Sequence, residues 1–368
     1  MLLANGLPTN SAACWLKSEP PLQAVPRRLP HLLLILCLGL SACGDPEREI
    51  RLKWREEEVN AKEAALMQRE AIVVKDKQII EGQRLDIVSR EKNVEVLKKQ
   101  LQEELDKAKK LRREIELKEL RGPLPRLTAE RVLIIDAESN EVIYEKNATL
   151  RGAVASTTKL LTALLIVEAG ELDKMVTVEK SDTECAPVKL GLKAGEQYSR
   201  RQLLTAVMVK SSNDIAQALA RDNAGSVEAF VEKMNQKCRQ LGLTDSHFMN
   251  PHGLPEQGEE QPYSTARDMA SIARACDKKP EIREIVRLQS YKFKWNSGKV
   301  SELTNTNRVL RSVSYCDGMK TGYTGAAGYC LVASGSRNGR RRIVVVLNGT
   351  ESGVWRDAQN LLDWGLKA

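Results

Sequence analysis

One apolar residue in every seven, repeated without a miss, constrains this chain more than any other feature. Leu52, Val59, Leu66, Val73, Ile80, Ile87, Val94, Leu101, Ala108 and Ile115 recur at strict seven-residue spacing between Asp45 and Arg121. The residues between them are mostly charged, no proline follows Pro46, and Gly82 is the one glycine. Two turns of α-helix hold about seven residues, so this period is helical and incompatible with strands. Residues 45–121 therefore read as one long helix or coiled coil. If straight, roughly 70 residues at 1.5 Å rise span on the order of 100 Å. The companion seam is weak. Three residues after the repeated position stand Arg55, Lys62, Arg69, Asp76, Gln83 and Arg90, and only Leu97 and Leu111 restore an apolar pair. A two-stranded coiled coil wants both seam positions apolar. Self-association, a back-packed helix and a solitary charged helix all fit.

The segment before this helix has a different composition. Arg27 and Arg28 precede Leu32-Leu33-Leu34-Ile35-Leu36-Cys37-Leu38-Gly39-Leu40. That run is short of the roughly 20 residues of a spanning helix and matches a signal-peptide core. Leu40-Ser41-Ala42-Cys43 resembles a bacterial lipobox, which implies that residues 1–43 form a lipoprotein-type leader and that Cys43 carries lipid. An ordinary cleaved signal peptide is the plainer alternative. Export to the bacterial cell envelope, on the periplasmic side with an N-terminal lipid anchor in the membrane, follows as an expectation.

The formal charge is +8, yet 49 acidic residues stand against 57 basic ones, so no nucleic-acid partner is expected. Beyond the leader no Cys-x-x-Cys occurs, and the only histidines are His247 and His252. A structural zinc or a His-Glu-x-x-His peptidase is thereby disfavoured, and no metal or cofactor is expected. Cys185, Cys238, Cys276, Cys316 and Cys330 remain; Cys316 and Cys330 could meet across a hairpin, while free buried thiols are the alternative.

Gly122-Pro123-Leu124-Pro125 stops the helix. Residues 124–368, about 245 in number, have globular patterning and can bury a substantial core. Residues 131–136 and 141–145 read as strands joined by turn chemistry. Ser156-Thr157-Thr158-Lys159 opens an apolar helix closed by Gly170, which puts Ser156 and Lys159 on one face of its first turn. A serine hydroxyl is a weak nucleophile until a base takes its proton. A lysine can be that base only if burial or a nearby cation lowers its pKa. Taken alone, the pattern also fits a capping serine with an exposed lysine. Ser211-Ser212-Asn213 interrupts two apolar helices and can present Ser211 and Asn213 to a cleft, or simply cap the second helix. Lys320-Thr321-Gly322 lies on a predicted edge strand. Gly322 allows close backbone approach, Lys320 offers a cation to a carboxylate and Thr321 a hydroxyl; a plain hairpin with an exposed lysine also fits. Arg340-Arg341-Arg342, between the last two strands, reads as a solvated hairpin tip.

Together the three motifs resemble the signature of the penicillin-binding protein and serine β-lactamase superfamily. With Tyr144-Glu145-Lys146-Asn147-Ala148, Ser211-Ser212-Asn213-Asp214 and His247 to Leu254, the chain resembles the low-molecular-weight D-alanyl-D-alanine carboxypeptidases, peptidase family S11. The resemblance implies an α+β fold: an antiparallel sheet flanked by helices, with an all-helical lobe carrying the Ser211 loop. It implies Ser156 as nucleophile, Lys159 as base and Ser211 as proton relay. Asn213, Lys320, Thr321 and Gly322 would bind substrate, with an oxyanion held by the Ser156 and Tyr323 backbone N–H groups. The substrates implied are peptidoglycan peptides ending in D-alanyl-D-alanine, and β-lactams as acylating analogues. Family members give the two histidines no catalytic role. Three rival readings remain: a β-lactamase, for which no loop Glu with a supporting Asn is evident; an endopeptidase acting on cross-links; and a non-catalytic cell-wall lipoprotein.

Overall fold

The computed structural model describes residues 45–185 and 187–368. The leader and Cys43 lie outside the described residues. The described residues divide into two units at Leu101/Gln102, and helix α1 (Pro46–Arg121) contributes residues to both. Asp45 accepts from Glu47 N–H at 3.2 Å, Pro46 fills the first helical position, and acidic residues in the first turn and basic ones in the last oppose the helix dipole. Exposed pairs such as Glu58–Lys62 (2.7 Å) and Asp86–Arg90 (2.8 Å) follow i,i+4 spacing. The helix ends where predicted, at Gly122, whose N–H returns to the Lys118 carbonyl. In the first unit the repeated apolar side chains are exposed, Leu101 at 71%.

The second unit is built on strand pairing. β1 (Arg131–Asp136) and β2 (Val142–Lys146) form the first hairpin. A 3₁₀ turn at Ala155–Thr158 leads into α2 (Lys159–Glu168), so the α-helix starts three residues after Ser156 rather than at it. β3 (Met175–Thr177), α3 (Lys180–Thr183) and β4 (Gln197–Ser199) follow, then α4 (Arg200–Lys210), α5 (Asn213–Ala224) and α6 (Val227–Gln240). Next come α7 (Ala266–Asp277), α8 (Pro280–Val286), the hairpin β5 (Ser290–Lys294) and β6 (Val300–Thr304), and α9 (Arg308–Ser312). β7 (Cys316–Thr324), β8 (Gly328–Arg337), β9 (Arg340–Gly349) and α10 (Gly353–Leu366) complete the chain.

The main sheet is antiparallel in the order β2-β1-β9-β8-β7. Its central strands are apolar on both faces, because helices cover both. Leu133, Ile135, Val332, Ile343 and Val345 face the larger core with Leu160, Leu164, Ile215, Leu219 and Phe230. Val132, Ile134, Leu331, Val344 and Val346 face Val354, Leu361 and Leu362 of α10. Each such side chain is nearly or wholly buried and contributes about 1.5–3 kcal/mol. The fold is the α+β arrangement expected, with a helical lobe from α2, α4, α5 and α6.

One reading needs correction. Arg341 and Arg342 are not a solvated tip. They begin β9, where Arg341 pairs with Asp277 (2.5 Å) and Asp317 (2.6 Å), and Arg342 pairs with Asp136. Carboxylates on neighbouring elements, buried Asp277 and half-buried Asp136 and Asp317, draw them in. Of the two readings open for the cysteines, free thiols hold: the β7–β8 register sets Cys316 opposite Gly335 and Cys330 opposite Gly322, and Cys185, Cys238, Cys276, Cys316 and Cys330 are all unbridged.

Candidate active site

Three separate elements meet at one place. The 3₁₀ turn contributes Ser156, the α4–α5 junction contributes Ser211 and Asn213, and the edge strand β7 contributes Lys320, Thr321 and Gly322. Both serines depend on unusual backbone. Ala155, immediately before Ser156, has φ +49°, and Ser211 caps α4 at φ +68°. Non-glycine residues held there cost about 1–3 kcal/mol each, which packing must supply. Gly253 (φ +81°) supplies some of it for Ala155: its Cα lies so close to the Ala155 carbonyl that no side chain fits.

Lys159 is fully buried. Its Nζ lies 2.9 Å from Ser156 Oγ, 2.8 Å from Asn213 Oδ1 and 3.0 Å from the His252 carbonyl. Burial, and next the charge of Lys320, hold its pKa well below the ordinary lysine value. A neutral amine has two N–H groups and one lone pair. The two carbonyl oxygens can accept both N–H groups, which turns the lone pair toward the Ser156 hydroxyl. Such an amine can take that proton.

Lys320 is also buried, and donates to Ser211 Oγ at 2.7 Å and to the Thr321 carbonyl at 2.9 Å. Burial lowers its pKa to about 7. The plainer alternatives for the motifs therefore fail, since neither lysine is exposed. Ser212 occupies the cap position of α5 without a side-chain cap bond, and Asn213 spends its amide on Lys159 and on the Pro187 carbonyl (2.6 Å). Thr321 Oγ1 meets Thr306 Oγ1 at 2.6 Å.

Gly322 lies against the turn that carries Ser156. A Cβ there would stand 2.8 Å from Ser156 N, 3.0 Å from Thr157 N and 3.0 Å from Ala155 Cβ. The Ser156 N–H has no acceptor among the described residues. Next along β7, Tyr323 is 57% exposed and stacks on Tyr329 at 4.3 Å between ring centres.

Neither histidine meets the serine through its ring. His252 is buried, and burial followed by the Lys159 charge pushes its pKa down to about 3. Its carbonyl, not its imidazole, serves the site. That contact, the Pro187 carbonyl and Asp214, which accepts from the Leu190, Gly191 and Leu192 N–H groups, were not found by sequence reasoning. The Asn250-Pro251-His252-Gly253 turn signal marked a bend but not which carbonyl it presents.

Comparison with known proteins gives one family. A sequence profile described as D-alanyl-D-alanine carboxypeptidase, peptidase family S11, matches residues 119–351. The D-alanyl-D-alanine carboxypeptidase DacF of Bacillus subtilis is 37% identical over 63% of this chain and 60% of its own length. DacB2 of Mycobacterium tuberculosis is 33% identical over 66% of this chain and 84% of its own. The chain thus spans about 60% of the Bacillus relative. Among solved structures, the Streptomyces K15 DD-transpeptidase superposes with a TM-score of 0.63 at 30% identity, covering 67% of this chain and 100% of its own. A D-alanyl-D-alanine carboxypeptidase from Mycobacterium tuberculosis gives 0.64 at 32% identity, covering 67% and 94%.

Proposed function

Because the chain belongs to the D-alanyl-D-alanine carboxypeptidase family, we propose that residues 124–368 remove the terminal D-alanine from peptidoglycan stem peptides through an acyl-enzyme on Ser156. Penicillin acylates the same serine. The observation that carries this reading is the buried Lys159 amine, 2.9 Å from Ser156 Oγ and held at a depressed pKa.

In this mechanism Lys159 takes the Ser156 proton as the oxygen attacks the carbonyl between the two D-alanines. The oxyanion sits between the Ser156 and Tyr323 N–H groups. As the C–N bond breaks, the proton taken by Lys159 is relayed through Ser211, itself hydrogen-bonded to Lys320, to the leaving D-alanine nitrogen. Lys320 and Thr321 hold the terminal carboxylate, and Asn213 orients both Lys159 and the peptide amide. The peptide lies along β7 as an added strand, a binding mode open to an exposed sheet edge. Water then releases the shortened peptide.

The two lysines set opposite limbs of a pH profile. Lys159 works as the neutral amine, so activity rises as pH passes upward through its depressed pKa. Lys320 binds the carboxylate as a cation, so kcat/KM, which reports the free enzyme, falls as pH rises above about 7. Lys320→Arg keeps its charge and moves the falling limb to higher pH. A falling limb unmoved by that substitution contradicts the role given to Lys320.

The relatives are bacterial, and an envelope location fits the proposed substrate. No described helix is long and apolar enough to cross a membrane. The anchor in this reading is lipid on Cys43, residues 1–43 are the leader, and residues 45–121 are a spacer whose seam is open to a second copy. Membrane partition retained by Cys43→Ala contradicts the anchor, and a monomer in sedimentation of the full chain contradicts pairing.

A further inference from the structure

A cavity of about 360 Å³ opens beside the nucleophile turn, walled by Val154, Ala155, Pro255, Pro262 and Ala326. Its volume is at the low end for ligand pockets, enough for one extended side chain. Two observations say that the cavity is built for a ligand with a polar part. Thr158, which also lines it, is 1% exposed, and its hydroxyl has no partner in the described structure. A buried hydroxyl left this way has lost its water without gaining a partner, which is unfavourable until a ligand supplies one. Among the described residues, Arg151 is the only charged side chain on the wall. It is fixed by Asp245, to which Nε and Nη2 donate at 3.0 and 2.7 Å, and it lies 5.0 Å over the Tyr263 ring. Its Nη1 has no acceptor among the described residues.

The cavity's position follows from the direction of the strand. Lys320 and Thr321 precede Gly322, and Thr324, another lining residue, follows it. A peptide whose terminal carboxylate lies at Lys320 and Thr321 and whose scissile carbonyl lies at Ser156 continues upstream past Tyr323 toward Thr324. Each residue of extended chain advances about 3.4 Å. The residue before the two D-alanines therefore arrives at the cavity mouth.

We propose that this cavity is the subsite for the side chain of the residue preceding D-alanyl-D-alanine, and that Arg151 selects a side chain with an apolar stem and a terminal carboxylate. The inference rests on the carboxypeptidase reading above. It separates two otherwise matched substrates: a pentapeptide whose third residue is a diamino acid with a free side-chain carboxylate (meso-diaminopimelate), and one whose third residue is lysine.

The test measures kcat/KM for D-alanine release from both peptides with the full chain and with Arg151→Gln. Complete labelling by fluorescent penicillin serves as the folding control for the variant. The expected result is a preference of about tenfold for the carboxylate-bearing peptide, the size of one charge-assisted hydrogen bond at a partly exposed site, falling to about one in Arg151→Gln. A wild-type ratio near one, or a preference that survives in Arg151→Gln, overturns the subsite while leaving the carboxypeptidase reading standing. Release from neither peptide overturns both.

Discussion

A Lys159→Met protein keeps Ser156 and is expected to be acylated by penicillin about 10³-fold more slowly than the wild type. Methionine nearly matches lysine in length and suits an interior position, so the cavity stays filled. What disappears is, among the described residues, the only group within hydrogen-bond reach of Ser156 Oγ that can accept its proton. A positioned general base contributes about 10²–10⁴-fold, which brackets the expected loss. Asn213 Oδ1 and the His252 carbonyl lose a donor at the same time. Each unpaired buried acceptor costs about 1–3 kcal/mol, while removal of a buried, easily charged amine offsets part of that cost. Thermal unfolding should therefore remain cooperative, with a modest shift in Tm. The rate constant for labelling by fluorescent penicillin, measured beside a melting curve, separates the two effects. Near wild-type acylation in a folded Lys159→Met protein contradicts the base assignment.

Gly322→Val is expected to reduce acylation by about 10²–10³-fold through a different route. The added side chain would start 2.8 Å from Ser156 N, and the atoms it meets are mostly backbone of the turn that carries Ser156. Neither the turn, held by the strained Ala155, nor a strand paired with β8 along its length can yield without moving the reacting oxygen. In the proposed mechanism the valine also stands where a carbonyl oxygen reaches the Ser156 N–H. Loss of one oxyanion donor costs roughly this factor. Because β7 is an edge strand, the penalty should fall on function more than on stability. Gly322→Ala should show the same defect in milder form. Stopped-flow acylation and a melting curve check both; a folded Gly322→Val protein with wild-type acylation removes Gly322 from the site.

How far the chain could be read in advance depended on whether the signal was local. The period of residues 52–115 is a local property, and α1 spans Pro46–Arg121 as expected. Ser156, Ser211 and Lys320 sat in short motifs, and their elements, a helix start, an inter-helix junction and an edge strand, were legible from apolar runs and turn residues. Long-range pairing was not. Nothing local distinguishes the buried Lys320 from an exposed hairpin lysine, since its burial depends on Ser211, 109 residues earlier. Arg341 looked solvated until Asp277 and Asp317 converged on it. The left-handed backbone at Ala155 is equally invisible, because alanine carries no turn signal; its cause is tertiary and lies partly in Gly253.

The most direct test of the central assignment is the intact mass of the full chain after incubation with penicillin, followed by peptide mapping. One adduct is expected, on the peptide containing Ser156, persisting after free drug is removed and absent from Ser156→Ala. An adduct that survives in Ser156→Ala, or that maps to another residue, contradicts the assignment; an adduct lost at once with turnover of the drug makes the protein a β-lactamase instead.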